Sequence, residues 1–290
     1  MYKVIDAHVH IYPEAIADKA CDALGKFYDF SIQGGGTYSD LERQSRRFRI
    51  GEPGFEGEMR GFMLLGVATT PHQVTKVNDS LAASVKSARE QGFECWGFAG
   101  MHQDYPDFAA EVERAESVGL TGVKIHPDIQ GVDIDDDRLL RLYEIIEGRM
   151  PLFLHMGDWR PQYRFSEPKK LARVLRLFPR LKVVAAHYGG YQAWDEAGGY
   201  LWGNPNVWYD CSSSLWAMSP ERARELTLGC GEDRVMYGTD YPVYSLIPYY
   251  QLFERISLTD EQRRKILYDN AKGFIEAAEK DAEEYKKSHM

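Results

Sequence analysis

The chain has 290 residues, 44% of them hydrophobic and 27% charged, which suits one large globular domain and could also suit two. A formal net charge of −9 argues against a nucleic-acid scaffold and against docking on an anionic membrane, but leaves room for an anionic small molecule in a locally basic cleft. Cys21, Cys95, Cys211 and Cys230 form no Cys-x-x-Cys pair and read as reduced thiols of a cytoplasmic protein, with no signal peptide ahead of the first strand and no apolar run near the roughly 20 residues of a membrane span.

Eight short apolar runs alternate with segments of helical period. Residues 3–10 form the first. Then come 61–70 before a helix over 74–91, 95–101 before 108–117, 122–126 before 137–147, and 151–155 before 168–178. The last three are 181–187, 207–211 before a helix over 220–228, and 235–239 before helices that run to the C-terminus. Near-continuous apolar strands separated by helices signal a parallel sheet covered on both faces. Eight repeats in this length predict a (β/α)8 TIM barrel, and no Gly-x-Gly-x-x-Gly follows the first strand to favour a dinucleotide fold. Residues 25–60 break the rhythm with Gly34-Gly35-Gly36, Pro53 and few apolar side chains, and read as a lid insertion after the first strand. The barrel domain spans 1–278, and 279–290 is a charged C-terminal tail.

The first strand ends in Asp6-Ala7-His8-Val9-His10. Alternation puts His8 and His10 on one face with Asp6 behind them, which is half of a transition-metal site. His155 closes the fifth strand, His187 the sixth, and Asp240 follows the eighth. A barrel brings all these strand ends to one rim, where active sites sit. Nitrogen ligands with one carboxylate suit Zn²⁺, with Mn²⁺, Fe²⁺ or Co²⁺ as alternatives.

These motifs, with Ala186-His187-Tyr188-Gly189-Gly190 and Gly238-Thr239-Asp240-Tyr241-Pro242, span nearly the whole chain, which resembles the amidohydrolase superfamily and within it the amidohydrolase-2 group of metal-dependent hydrolases and non-oxidative decarboxylases. The resemblance implies His8, His10, His155 and Asp240 as direct ligands of one divalent ion. It implies His187 as a further ligand in two-metal members, or a catalytic and orienting residue in one-metal members. Lys124, in the fourth strand, is a bridging ligand in two-metal relatives; a one-metal site instead leaves Lys124 and His126 lining the pocket.

The chemistry expected is hydrolysis of a small, carboxylated or cyclic carbonyl compound by metal-activated water, with Asp240 carrying the proton and His187 holding the water or polarising the carbonyl. Decarboxylation of an aromatic or unsaturated acid uses the same residues, and a non-catalytic metal-binding barrel is the third reading. Specificity falls to the loop after His155, where Trp159 and Tyr163 could stack on a ring and Arg160 or Arg164 could bind a carboxylate. Arg43, Arg46, Arg47 and Arg49 on the insertion add to the anionic-substrate expectation, although a solvated helix face explains such a run as well. Asp6 is expected to accept a ligand imidazole N–H. Trp202, Trp208 and Trp216 could belong to the core or to a homo-oligomer interface.

Overall fold

The computed structural model describes residues 1–50 and 57–289. Every apolar run forms a strand: β1 (Tyr2–Val9), β2 (Gly57–Leu65), β3 (Glu94–Gly100), β4 (Gly122–Ile125), β5 (Leu152–Leu154), β6 (Val183–Ala185), β7 (Val207–Asp210) and β8 (Val235–Met236). They pair in parallel in sequence order. Backbone bonds close the seam: Ala7 N–H donates to the Tyr237 carbonyl at 2.9 Å and Asp240 N–H to the His8 carbonyl at 2.9 Å. The molecule is a TIM barrel.

The first connection carries α1 (Ala17–Tyr28) and α2 (Tyr38–Ile50). The later ones carry α3 (Val74–Glu90), α4 (Phe108–Ser117), α5 (Pro127–Gln130), α6 (Asp137–Ile146), α7 (Pro168–Leu177), α8 (Trp194–Leu201) and α9 (Pro220–Cys230). After β8 come α10 (Leu246–Glu254), α11 (Asp260–Arg264) and α12 (Asn270–His289). Local chemistry sets several starts: Asp107 caps α4, Ser219 caps α9 with Pro220 in its first turn, and Thr259 with Gln262 forms a capping box on α11. Among the described residues, no helix is long and apolar enough to cross a membrane.

Most apolar side chains fill the layer between strands and helices. A smaller cluster joins Ile5, Met63, Phe98, Phe153, Val184 and Met236 to Phe274 of α12. Lys124 lies in register between Gly100 and Phe153, so it is the β4 member of this inner row.

Two segments differ from expectation. Residues 25–28 end α1, 38–50 form α2, and 57–60 begin β2, so most of the described part of 25–60 is regular structure; Pro53 and its neighbours lie outside the described residues. Ala17, Ala20 and Leu24 have the helical spacing that carries α1 into this segment as far as Tyr28. α2 packs on the barrel through Leu41 and Phe48, whose ring meets Tyr250 edge-on at 5.0 Å. The expected tail is a continuation of α12, anchored where Asp281 pairs with Lys182.

Candidate metal centre

The site forms where strand ends meet. A register shift between Asp6 and Val9 inserts one extra residue into β1. Such a bulge interrupts alternation and re-aims side chains. His8 and His10 thereby share the barrel interior, and the His8 ring meets the inner Phe153 ring at 5.1 Å. Asp6, between inward Ile5 and Ala7, does not share their face. His187 is turned inward by a left-handed backbone, φ 58°, immediately after β6, and Asp240 has φ 63°. Such conformations cost energy in non-glycine residues and gather at functional sites. Gly238 has no side chain because a Cβ there would come within 2.9 Å of the His8 Cβ.

Fixed acceptors settle which ring nitrogens carry hydrogen. His10 Nδ1 donates to the Leu65 carbonyl at 3.0 Å, and His187 Nδ1 to the Ser212 carbonyl at 3.0 Å. His155 Nε2 donates to the Gly157 carbonyl at 3.2 Å, and His8 Nδ1 to the Asp210 carboxylate at 3.0 Å. A neutral imidazole has one N–H, so His8 Nε2, His10 Nε2, His155 Nδ1 and His187 Nε2 are left as bare lone pairs. They face each other in two couples: His8 and His10 at 3.1 Å, and His155 and His187 at 3.1 Å. Asp240 Oδ1 is 3.3 Å from His8 Nε2 and 3.5 Å from His10 Nε2. Lone pairs and a carboxylate crowded together repel unless a cation lies among them, and this donor set fits a divalent ion. His8, His187 and Asp210 form a second cluster, but its Nδ1 atoms carry hydrogens and Ser212 Oγ bonds Asp210 within it, so it is a supporting network.

Burial, then the charges of neighbouring histidines and Lys124, holds His10, His126 and His155 well below the ordinary histidine range; burial also lowers His187. All four therefore stay neutral and able to ligate or hydrogen-bond. Burial alone would raise the Asp210 carboxyl, but His8 and His187 facing it, with the hydrogen bonds from His8 and Ser212, hold it low. The anion keeps His8 in its ligating tautomer.

Above these groups lies a cavity of about 720 Å³, reached by His10, His126, His155, His187, Ser213 and Asp240. Its roof is α1. Tyr28 brings its hydroxyl to 3.1 Å from His126 Nε2 and 3.4 Å from His155 Nε2. His126 Nδ1 accepts the Ile129 N–H, so its own hydrogen is on Nε2. His126 thus donates to the Tyr28 oxygen, and the phenol hydrogen is left for the cavity.

The amidohydrolase family model (Amidohydro_2) matches residues 5–274. The chain belongs to the amidohydrolase family. No curated protein matches it by sequence. Among solved structures it is similar to an uncharacterised TIM-barrel protein from Bordetella bronchiseptica, with TM-score 0.75, 18% identity, and 95% of this chain and 99% of that one covered. A dihydroxybenzoic acid decarboxylase from a Polaromonas species, solved with manganese and 2-nitroresorcinol, has TM-score 0.64, 17% identity and coverage of 95% and 97%. A proposed 2-pyrone-4,6-dicarboxylic acid hydrolase from Pseudomonas putida has TM-score 0.65, 19% identity and coverage of 96% and 98%. At these identities the structural likeness shows the fold alone.

Several expected site residues of this amidohydrolase lie elsewhere. Asp6 meets no imidazole: it accepts the His8 and Thr239 N–H groups at 3.1 and 3.0 Å and the Thr239 hydroxyl at 2.6 Å, because the bulge turns it away from the rings. Asp210 fills the role expected of it. Burial raises the Asp6 carboxyl to about 7 against the opposing Thr239 bonds. Lys124 does not line the cavity; its Nζ lies 4.7 Å from the centre of the Phe153 ring without a hydrogen bond among the described residues, and burial lowers it to about 8.

Trp159, Arg160 and Arg164 are likewise absent from the cavity lining. Trp159 is 58% exposed, and Arg164 pairs with Glu167. Arg160 binds Asp158, lies over the Tyr163 ring at 4.0 Å, and reaches the Phe27 carbonyl at the end of α1, so it ties down the roof. On α2, Arg43 pairs with Asp40 and Arg46 with Glu42, one turn back on their own helix; the Arg49 side chain lies outside the described residues. Asp210, Ser212, Ser213 and Tyr28 were missed. An acid next to last in the apolar run 207–211, with three serines directly after that run, was the available signal for the first three.

Proposed function

We propose that this amidohydrolase is a metal-dependent hydrolase of a small, carboxylated or cyclic carbonyl compound, an amide, lactone or related ester, with one divalent ion held by His8, His10, His155 and Asp240. The reading rests on the convergence of the bare His8 and His10 nitrogens with Asp240 Oδ1 at the cavity floor. Zn²⁺ suits a histidine-rich set best, and manganese, bound in the Polaromonas decarboxylase, comes next. When bound, the ion supplies Lewis acidity that acidifies water and polarises a carbonyl.

The chain's own groups do the rest. Ser213 donates to Asp240 Oδ2 at 2.6 Å and fixes the carboxylate, which accepts the water proton and delivers it to the leaving group. His187 Nε2 is an acceptor, so it holds a water hydrogen and cannot polarise the carbonyl. The donor for the substrate oxygen is Tyr28, whose hydrogen the His126 N–H leaves available.

Decarboxylation of an aromatic acid is the second reading. It is favoured by a cavity whose lining, among the described residues, is largely apolar or aromatic and holds no arginine. An apolar wall raises the energy of a carboxylate relative to the charge-dispersed state that loses CO₂. The test is turnover of metal-loaded enzyme on lactones, amides and hydroxybenzoates in ¹⁸O-water. Hydrolysis puts ¹⁸O into the product with no CO₂. Release of CO₂ with a solvent hydrogen on the product carbon overturns it in favour of the second reading.

A further inference from the structure

The cavity is larger than a single small ring requires, and the excess has a direction. At about 720 Å³ it falls in the range of drug-sized ligands. From the floor it extends between α1 and α3. On α1, Lys19, Ala20, Ala23, Leu24 and Phe27 line it, a spacing of three and four that marks one helix face. On α3, Lys76, Val77, Ser80 and Leu81 line the other wall with the same spacing. Only Ala17 and Tyr28 of α1 are buried, so most of its cavity-facing stripe lies over open space instead of packing into the barrel. Ala20, Ala23 and Ser80 keep the gap wide. Lys19 and Lys76 are its exposed cations, and neither makes a salt bridge among the described residues.

We propose that the substrate is elongated and amphipathic. Its reacting carbonyl lies over the metal ligands, its apolar chain runs between α1 and α3, and a terminal carboxylate is held by Lys19 and Lys76. The assignment of the reacting end rests on the hydrolase reading; the chain and anion sites rest on the cleft. Tyr28 and Lys19 are nine residues apart on one helix, about 13 Å at 1.5 Å per residue, which sets the scale of the chain.

Calorimetric titration of the metal-loaded protein with decanedioate and butanedioate tests this without turnover. Both diacids offer a carboxylate to the metal, so their difference reads the cleft. Decanedioate is expected to bind about tenfold or more tightly than butanedioate. Ala23→Trp, on an exposed position, should abolish that preference by filling the gap. Lys19→Gln with Lys76→Gln should weaken decanedioate about fivefold, and less so in high salt. Equal affinity for the two diacids in the unaltered protein, or a preference untouched by both variants, overturns the proposal. Chain-length preference without turnover of any panel compound would sink the hydrolase reading and leave the cleft standing.

Discussion

Floor and roof of the cavity are held by different kinds of bond. On the floor, His10, His155 and His187 each donate to a main-chain carbonyl, at Leu65, Gly157 and Ser212. Their tautomers are therefore properties of the barrel backbone. The roof is one helix, fastened by the Arg160 side chain at Phe27 and by the Tyr28 hydroxyl over His126 and His155. The floor is set when the barrel closes, whereas the roof can shift at the cost of a few side-chain contacts. Changes below should therefore strike metal and chemistry, and changes above should strike turnover and substrate fit.

His8→Ala with His10→Ala should have the largest effect, removing metal by more than the roughly 10–100-fold that an outer partner is worth. Elemental analysis after dialysis decides it, and full occupancy would dismantle the floor as described. Asp210→Asn should weaken metal binding by about 10–100-fold in chelator competition, since His8 loses the anion that fixes its tautomer. Unchanged affinity would show that the Asp210 contact is incidental.

Tyr28→Phe should lower kcat about tenfold with metal content intact, because it removes one donor from the roof. A matching loss of metal would erase the contrast between the layers.

Acid should also separate the layers. In chelator-treated protein, His10, His126, His155 and His187 resist protons that the unfolded chain takes up below its ordinary pKa of 6.5. Stability should fall from pH 6.5 to 5. Asp6 and Asp128, raised to about 7 and about 6 chiefly by burial, oppose this, since their contribution is present at low pH and lost as pH rises through those values. Four histidines outweigh two carboxyls, so the urea midpoint should drop; a rise on acidification would contradict the neutral floor. Arg164→Ala should have the smallest effect, within about 0.5 kcal/mol of stability and about twofold in KM, because that side chain pairs with Glu167 outside the cavity. A tenfold rise in KM would restore the carboxylate clamp.

The contrast also explains what the sequence made legible. Strand periodicity locates all eight strands and the rim, and so gathers His8, His10, His187 and Asp240 at one place. It fails at Asp6, because a bulge in β1 cannot be seen in an alternating pattern and moves one residue to the other face. It also fails for the roof. Arg160 and Tyr28 are 132 positions apart and meet only in three dimensions, so the loop arginines suggested a substrate anchor where the fold uses one of them as a fastening. The stripe of α1 lies mostly just before the segment read for its glycines, and its helical spacing was not read.

The Asp6 carboxyl has a consequence for the order of assembly. It joins β1 to Thr239, near the far end of the chain, and the His8 carbonyl waits for the Asp240 amide. At ribosomal speeds of about 5–20 residues per second, β1 stands for on the order of 10–50 s without its eighth neighbour. During synthesis the nascent chain therefore displays the paired imidazoles long before the acid that joins them, so the candidate metal site is complete only after closure, and any product truncated before Thr239 keeps an open sheet edge.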